Sequence, residues 1–158
     1  MPEADAVVAK HRRELDPSAR RGVPAHVTVL YPIPAELTVA ELNRVAAAIR
    51  TVDRFSCEFA ETRWFGDDVL WLAPVPDRPF SALTRAVCSA LPEVSPYGGR
   101  IARADLVPHL TIGDRVRGAA LTDLRAAEAE VAGALPVRAD VREVTRMRGH
   151  AAPGSWQL

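Results

Sequence analysis

The chain has 158 residues, 48% hydrophobic and 25% charged, with 20 basic and 20 acidic side chains and no formal net charge. That composition suits one globular domain with room for a real core, so residues 1–158 are read as a single domain. It excludes a basic field able to hold long nucleic acid nonspecifically, and leaves small, pocketed contacts such as a nucleotide or an RNA end.

No apolar run reaches membrane-spanning length and no signal-peptide pattern follows Met1, so a cytoplasmic protein is expected. Cys57 and Cys88 lack CxxC spacing and lie among apolar residues, which reads as buried free thiols rather than a disulfide or a zinc site. Lys10 is the only lysine. Guanidinium suits phosphate, but most of the arginines are read as compositional bias.

In chain order, Glu3 to Leu15 reads as an amphipathic helix ended by Asp16-Pro17, and Asp16 to Pro24 as a loop. Ala25 to Tyr31 reads as the first strand, stopped by Pro32 and Pro34. Thr38-Val39-Ala40-Glu41 has capping-box form and opens a helix to about Arg50. Phe55–Ala60 and Val69–Ala73 look like paired strands joined through Trp64, Gly66, Asp67 and Asp68. A helix follows from Phe80 to Leu91. Leu91 to Asp105, with Pro92, Pro96 and Gly98-Gly99, is an irregular stretch of the length that often serves function in compact domains. Leu106–Ile112 is the next strand, Ala119–Leu135 an alanine-rich helix and Val137–Met147 a strand, with a short hairpin strand expected around Trp156. The order is α+β, with a strand followed by a helix recurring.

Two tetrads stand out, His26-Val27-Thr28-Val29 and His109-Leu110-Thr111-Ile112. Side chains alternate across a strand, so each histidine shares a face with its threonine while the apolar pair faces a core. Each tetrad closely follows a proline, Pro24 or Pro108, which favours an extended approach. Two imidazoles with two hydroxyls suit phosphodiester chemistry that needs no metal. One imidazole acts as general base and the other as general acid, while Thr28 and Thr111 donate to phosphoryl oxygens.

With their flanks, Val23-Pro24-Ala25-His26-Val27-Thr28-Val29-Leu30-Tyr31-Pro32 and Val107-Pro108-His109-Leu110-Thr111-Ile112-Gly113, the tetrads resemble the motifs of the 2H phosphoesterase superfamily, which includes the bacterial 2′-5′ RNA ligase-like proteins. Val69-Leu70-Trp71-Leu72-Ala73-Pro74 and Pro96-Tyr97-Gly98-Gly99 fit the family's middle. The resemblance implies a bilobal, pseudo-two-fold fold, with two antiparallel sheets lining a cleft and helices outside. It also implies cleavage of 2′,3′-cyclic phosphates or related cyclic phosphodiesters, or joining of RNA ends, with His26 and His109 catalytic, Thr28 and Thr111 on the phosphate, and no cofactor or metal. Family members usually begin with a strand beside the first motif strand. Here Met1-Pro2 leads almost directly into a helix, so that strand is expected to be missing and the last one to be short at Trp156-Gln157-Leu158. An unpaired edge beside His26 leaves a monomer and an edge-paired dimer both open.

Other residues divide by weight. Tyr97 reads equally as a base-stacking substrate contact or as a packed loop aromatic, with Trp64 or Phe65 less favoured for stacking. Arg115 reads as a substrate contact, as do Arg63, Arg100 and Arg103 with less support. Tyr31 falls on the opposite face from His26 by parity and reads as core. His11 and His150 read as structural. Zinc hydrolysis, a P-loop and a Ser or Cys nucleophile lack their motifs. A noncatalytic nucleotide- or RNA-end-binding module and a fold-only interaction protein remain the alternatives to an enzyme.

Overall fold

The computed structural model describes residues 1–149. His150 and the expected hairpin strand around Trp156 lie outside the described residues. Helix α1 (Pro2–Leu15) starts with proline in its first turn, carries Glu3 and Asp5 there, and has Arg12 and Arg13 in its last turn, as the helix dipole favours. Its buried residues, Ala4, Val8, His11, Arg12 and Leu15, recur at helical spacing. Asp16 then caps a one-turn helix, α2 (Pro17–Arg20), by accepting from the Ser18 N–H at 2.8 Å. Helix α3 (Val39–Ile49) has the expected capping box: the Thr38 N–H donates to the Glu41 carboxylate at 2.6 Å, and the Glu41 N–H donates to the Thr38 hydroxyl at 3.2 Å.

Among the described residues the strands form one antiparallel sheet in the order β3-β2-β1-β4. β1 (Phe55–Phe65) and β2 (Val69–Val75) form its central hairpin, β3 (Leu110–Asp114) adds to β2, and β4 (Val137–Val141) adds to β1. Helix α4 (Arg78–Ala90) follows β2 and packs on α3, while α5 (Leu121–Ala132) lies between β3 and β4 in sequence and contacts both α1 and β1. One apolar cluster joins Phe59, Leu70, Leu72, Leu110 and Ile112 of the sheet to Val8 and Leu15 of α1 and to Leu124 and Val131 of α5. Each such side chain contributes about 1.5–3 kcal/mol by leaving water. Cys57 and Cys88 are buried free thiols, and burial pushes the Cys57 thiol up to about 11.

Four expectations are corrected. Residues 25–31 form no ladder and bend at Ala25, Val29 and Leu30, so they are not a sheet strand and the two expected sheets reduce to one among the described residues. The physical reason is that a strand exists only through a neighbour's N–H and C=O groups, which alternation in one segment cannot reveal. The Ala25 N–H is instead taken by the Asp5 carboxylate at 2.9 Å, and the Ala25 carbonyl accepts from the Met1 ammonium at 2.9 Å. β3 starts at Leu110 rather than Leu106, because Pro108 has no N–H to donate and the chain before it turns in a single 3-10 turn at Arg103–Asp105. β4 ends at Val141 rather than Met147. Beyond that point Arg146 donates to the carbonyls of Pro34 and Ala35 at 3.1 and 2.6 Å.

Candidate active site

His109 directly precedes β3 and Thr111 lies within it, opposite Trp71 of β2. A register shift between Leu70 and Trp71 leaves Ile112 as the extra residue, so Leu110 and Ile112 are both buried while Thr111 is half-buried. The His109 ring stands edge-on to Phe65, with centroids 4.9 Å apart, and lies 5.9 Å from Trp71. Phe65 and Trp71 stack on each other at 4.6 Å. Trp71 is missed by sequence reasoning. Its pairing with the threonine of the second tetrad is the signal that marks it, since opposed residues of neighbouring strands share a face. Its buried indole N–H has no partner among the described residues and is a spare donor in the wall behind His109.

His26 sits on the ladder-free segment, and its setting repeats that of His109. The His26 Nδ1 lies 2.8 Å from the carbonyl of Pro24, and the His109 Nδ1 lies 2.7 Å from the carbonyl of Val107. In each case the acceptor is the residue two positions earlier. A carbonyl only accepts, so Nδ1 carries the proton in both rings, and Nε2 is left as the basic nitrogen. The pKa of His26 is lowered chiefly by burial, with the positive charges of Arg12 and His109 adding to it and the Pro24 carbonyl and Asp16 opposing it. That of His109 is lowered by burial, with the Val107 carbonyl opposing. The influence of His109 on His26 brings the two tetrads into electrostatic reach of each other.

Thr28 lies beside the long loop, lining one cavity with Tyr97. Burial raises the Tyr97 pKa, with the nearby Thr28 hydroxyl opposing, so that phenol stays protonated near neutrality. The Tyr97 backbone sits at φ 51° between Pro96 and Gly98, in the left-handed region that a tyrosine rarely adopts. Tyr97 also packs edge-to-face on Tyr31, with centroids 6.4 Å apart. Tyr31 is therefore not the core residue that parity suggests: it is 47% exposed and belongs to the rim of the site. The chain bends at Tyr31-Pro32, so alternation fails there.

The structure does not bring Arg115 to the histidines. It lies past the far end of β3 and pairs with Asp68 of the β1–β2 turn at 2.9 Å. Arg63 pairs with Glu61, Arg100 donates to the Tyr97 carbonyl at 3.2 Å, and Arg103 donates to the carbonyls of Pro92 and Val94. Trp64 is engaged by α5, donating to Glu128 at 2.7 Å beneath the Arg125 guanidinium. His11 is buried with Nε2 3.5 Å from the Glu130 carboxylate, in keeping with a structural role. Among the described residues no group of three or more His, Cys, Asp or Glu side chains is placed to hold a metal, and no helix is long and apolar enough to cross a membrane.

An α+β chain that repeats one histidine setting in two separate segments is of the kind found among the 2H phosphoesterases. The family model of the 2′-5′ RNA ligase superfamily matches residues 1–153, and the chain belongs to that superfamily. Among curated proteins none matches the chain.

Proposed function

We propose that the protein is a metal-independent phosphodiesterase, or 2′-5′ RNA ligase-like enzyme, acting on 2′,3′-cyclic phosphate or related cyclic phosphodiester ends of nucleotides or RNA. The observation that carries this reading is the matched setting of His26 and His109, each with Nδ1 held by the carbonyl two residues earlier and Nε2 left free.

In the hydrolytic direction one Nε2 accepts a proton from water as its oxygen bonds to phosphorus. The bond from phosphorus to one ribose oxygen breaks, and the other imidazole, protonated at Nε2, gives that oxygen its proton. In ligation a 5′-hydroxyl takes the place of water. The near-identity of the two settings leaves either histidine able to take either role. Thr28 and Thr111 donate to the nonbridging oxygens, where charge grows in the transition state. Tyr97 lines the same cavity as Thr28 and is placed to contact substrate beside it.

The test is turnover of 2′,3′-cyclic nucleotides in excess EDTA by wild type, His26→Ala and His109→Ala. Turnover that survives EDTA and is lost in both variants supports the reading. A folded wild type without turnover, or variants as active as wild type, overturns it. A protein that binds cyclic nucleotide without turning it over is the noncatalytic module instead.

A further inference from the structure

The cavity that Thr28 shares with Tyr97 has a volume of about 150 Å³, and no step of the mechanism above takes place in it. It is lined by Leu106-Val107-Pro108 on the approach to the second histidine and by Tyr31 and Tyr97. Ser81, Thr84 and Arg85 of α4 line it too, as does Arg103. A cavity of that volume holds a group the size of a benzene ring and so has room for a phosphoryl group.

The chemistry of the lining narrows the occupant further. Arg85, Arg103, Ser81 and Thr84 line the space beside apolar neighbours, and no carboxylate-bearing residue lines it. Among the described residues neither Arg85 nor Arg103 has a carboxylate partner, so no ion pair offsets their charge at the cavity. Arg103 spends its donors on the carbonyls of Pro92 and Val94, which fixes it in place with its charge unneutralised. An anion is what such a lining recognises. Thr28 borders both this cavity and the proposed reacting centre, and Pro108 leads straight into His109, so an occupant lies one unit along the same ligand.

We infer that this cavity is a second phosphate subsite, which takes the internucleotide phosphate preceding the reacting end. The inference rests on the reading given above and sharpens it: the substrate is an RNA end rather than a mononucleotide.

The experiment measures dissociation constants of wild type for adenosine 2′(3′)-monophosphate and for the dinucleotide ApA 2′(3′)-monophosphate, products that need no inactive variant. The dinucleotide is expected to bind roughly tenfold tighter, the worth of one charge-assisted hydrogen bond. Arg85→Ala is expected to bring the two affinities within about twofold without weakening the mononucleotide. Arg78→Ala, on the same helix but outside the cavity, is expected to keep the preference. Equal affinities in wild type, no binding of either, equal weakening of both in Arg85→Ala, or the same loss in Arg78→Ala would each overturn the inference. The catalytic reading fails separately: no turnover of cyclic phosphate by a protein that keeps the dinucleotide preference leaves the subsite standing without the enzyme.

Discussion

The backbone N–H of Tyr97 donates to the carbonyl of Tyr31 at 2.6 Å. This bond fastens the loop that precedes the second histidine to the end of the segment that carries the first. Tyr97 thus holds Tyr31 through its main chain, and its side chain lines the same cavity as Thr28 of the first tetrad.

Removing only the hydroxyl tests whether this side chain serves the site. Tyr97→Phe is expected to lower kcat/KM for a 2′,3′-cyclic nucleotide about fivefold, the cost of one polar contact to substrate of about 1 kcal/mol. Its melting temperature is expected to stay close to that of wild type, since the ring and the backbone bond remain. An unchanged kcat/KM would show that the hydroxyl plays no part in turnover.

The histidines are expected to fail as a unit. His26→Ala and His109→Ala are each expected to lose about 10²–10⁴-fold in kcat. The double variant is expected to be little worse than either single one, because the two act in one turnover. Full additivity would show that they act independently.

Both imidazoles have pKa values lowered from the usual 6.5. Turnover needs one of them neutral and one protonated, so kcat/KM is expected to peak on the acid side of pH 6.5 and to fall about tenfold per pH unit well above it. The stability consequence has a definite sign. Below 6.5 the unfolded chain takes up protons that the folded protein refuses, so stability drops as pH falls from 6.5 through the folded pKa values. NMR titration of the imidazole protons, with urea denaturation at several pH values, checks both. Imidazoles titrating above 6.5 would contradict both.

Gly113 ends the second motif where two helices meet. A Cβ there falls 2.5 Å from Leu124 and 2.7 Å from Leu15, so α1 or α5 has to shift. Gly113→Ala is expected to destabilise the protein by about 1–3 kcal/mol in urea denaturation, as overpacking does. Its effect on kcat is read on the fraction that remains folded. A neutral result would mean that α1 moves freely against β3.

Arg12 is a buried tie between three segments. Its guanidinium donates to Asp16 at 2.8 Å, to Ser18 at 3.2 Å and to the Val23 carbonyl at 3.2 Å. Arg12→Met leaves the Asp16 charge buried with its arginine gone and is expected to cost about 3–5 kcal/mol. Arg12→Met with Asp16→Leu is expected to recover part of that loss, which a double-mutant cycle in urea measures. A double variant no more stable than Arg12→Met would point to the Val23 bond as the main term.

Local signals are more legible than the architecture. The tetrads and their flanks point to the superfamily, because spacing of two within an apolar run is local information, and the capping box at Thr38 and Glu41 is equally local. Residues 25–31 were misread because a ladder depends on a second segment. Tyr31 was misread because the bend at Pro32 breaks alternation. Trp71 and Phe65 stand beside His109 through register between strands, which composition does not carry. Arg115 has the right charge for phosphate, yet Asp68 lies across the turn to take it.

The two histidines rest on unequal foundations. His109 leads into β3, anchored by ladder bonds to β2, while the segment of His26 is held at Ala25 by Met1 and Asp5 and at Val23 by Arg12. One jaw is bolted and the other is laced to a helix. Gentle heating or dilute urea is therefore expected to unlace the His26 side first and silence turnover before the sheet melts. Inactivation and unfolding curves, taken together, would part company by several degrees.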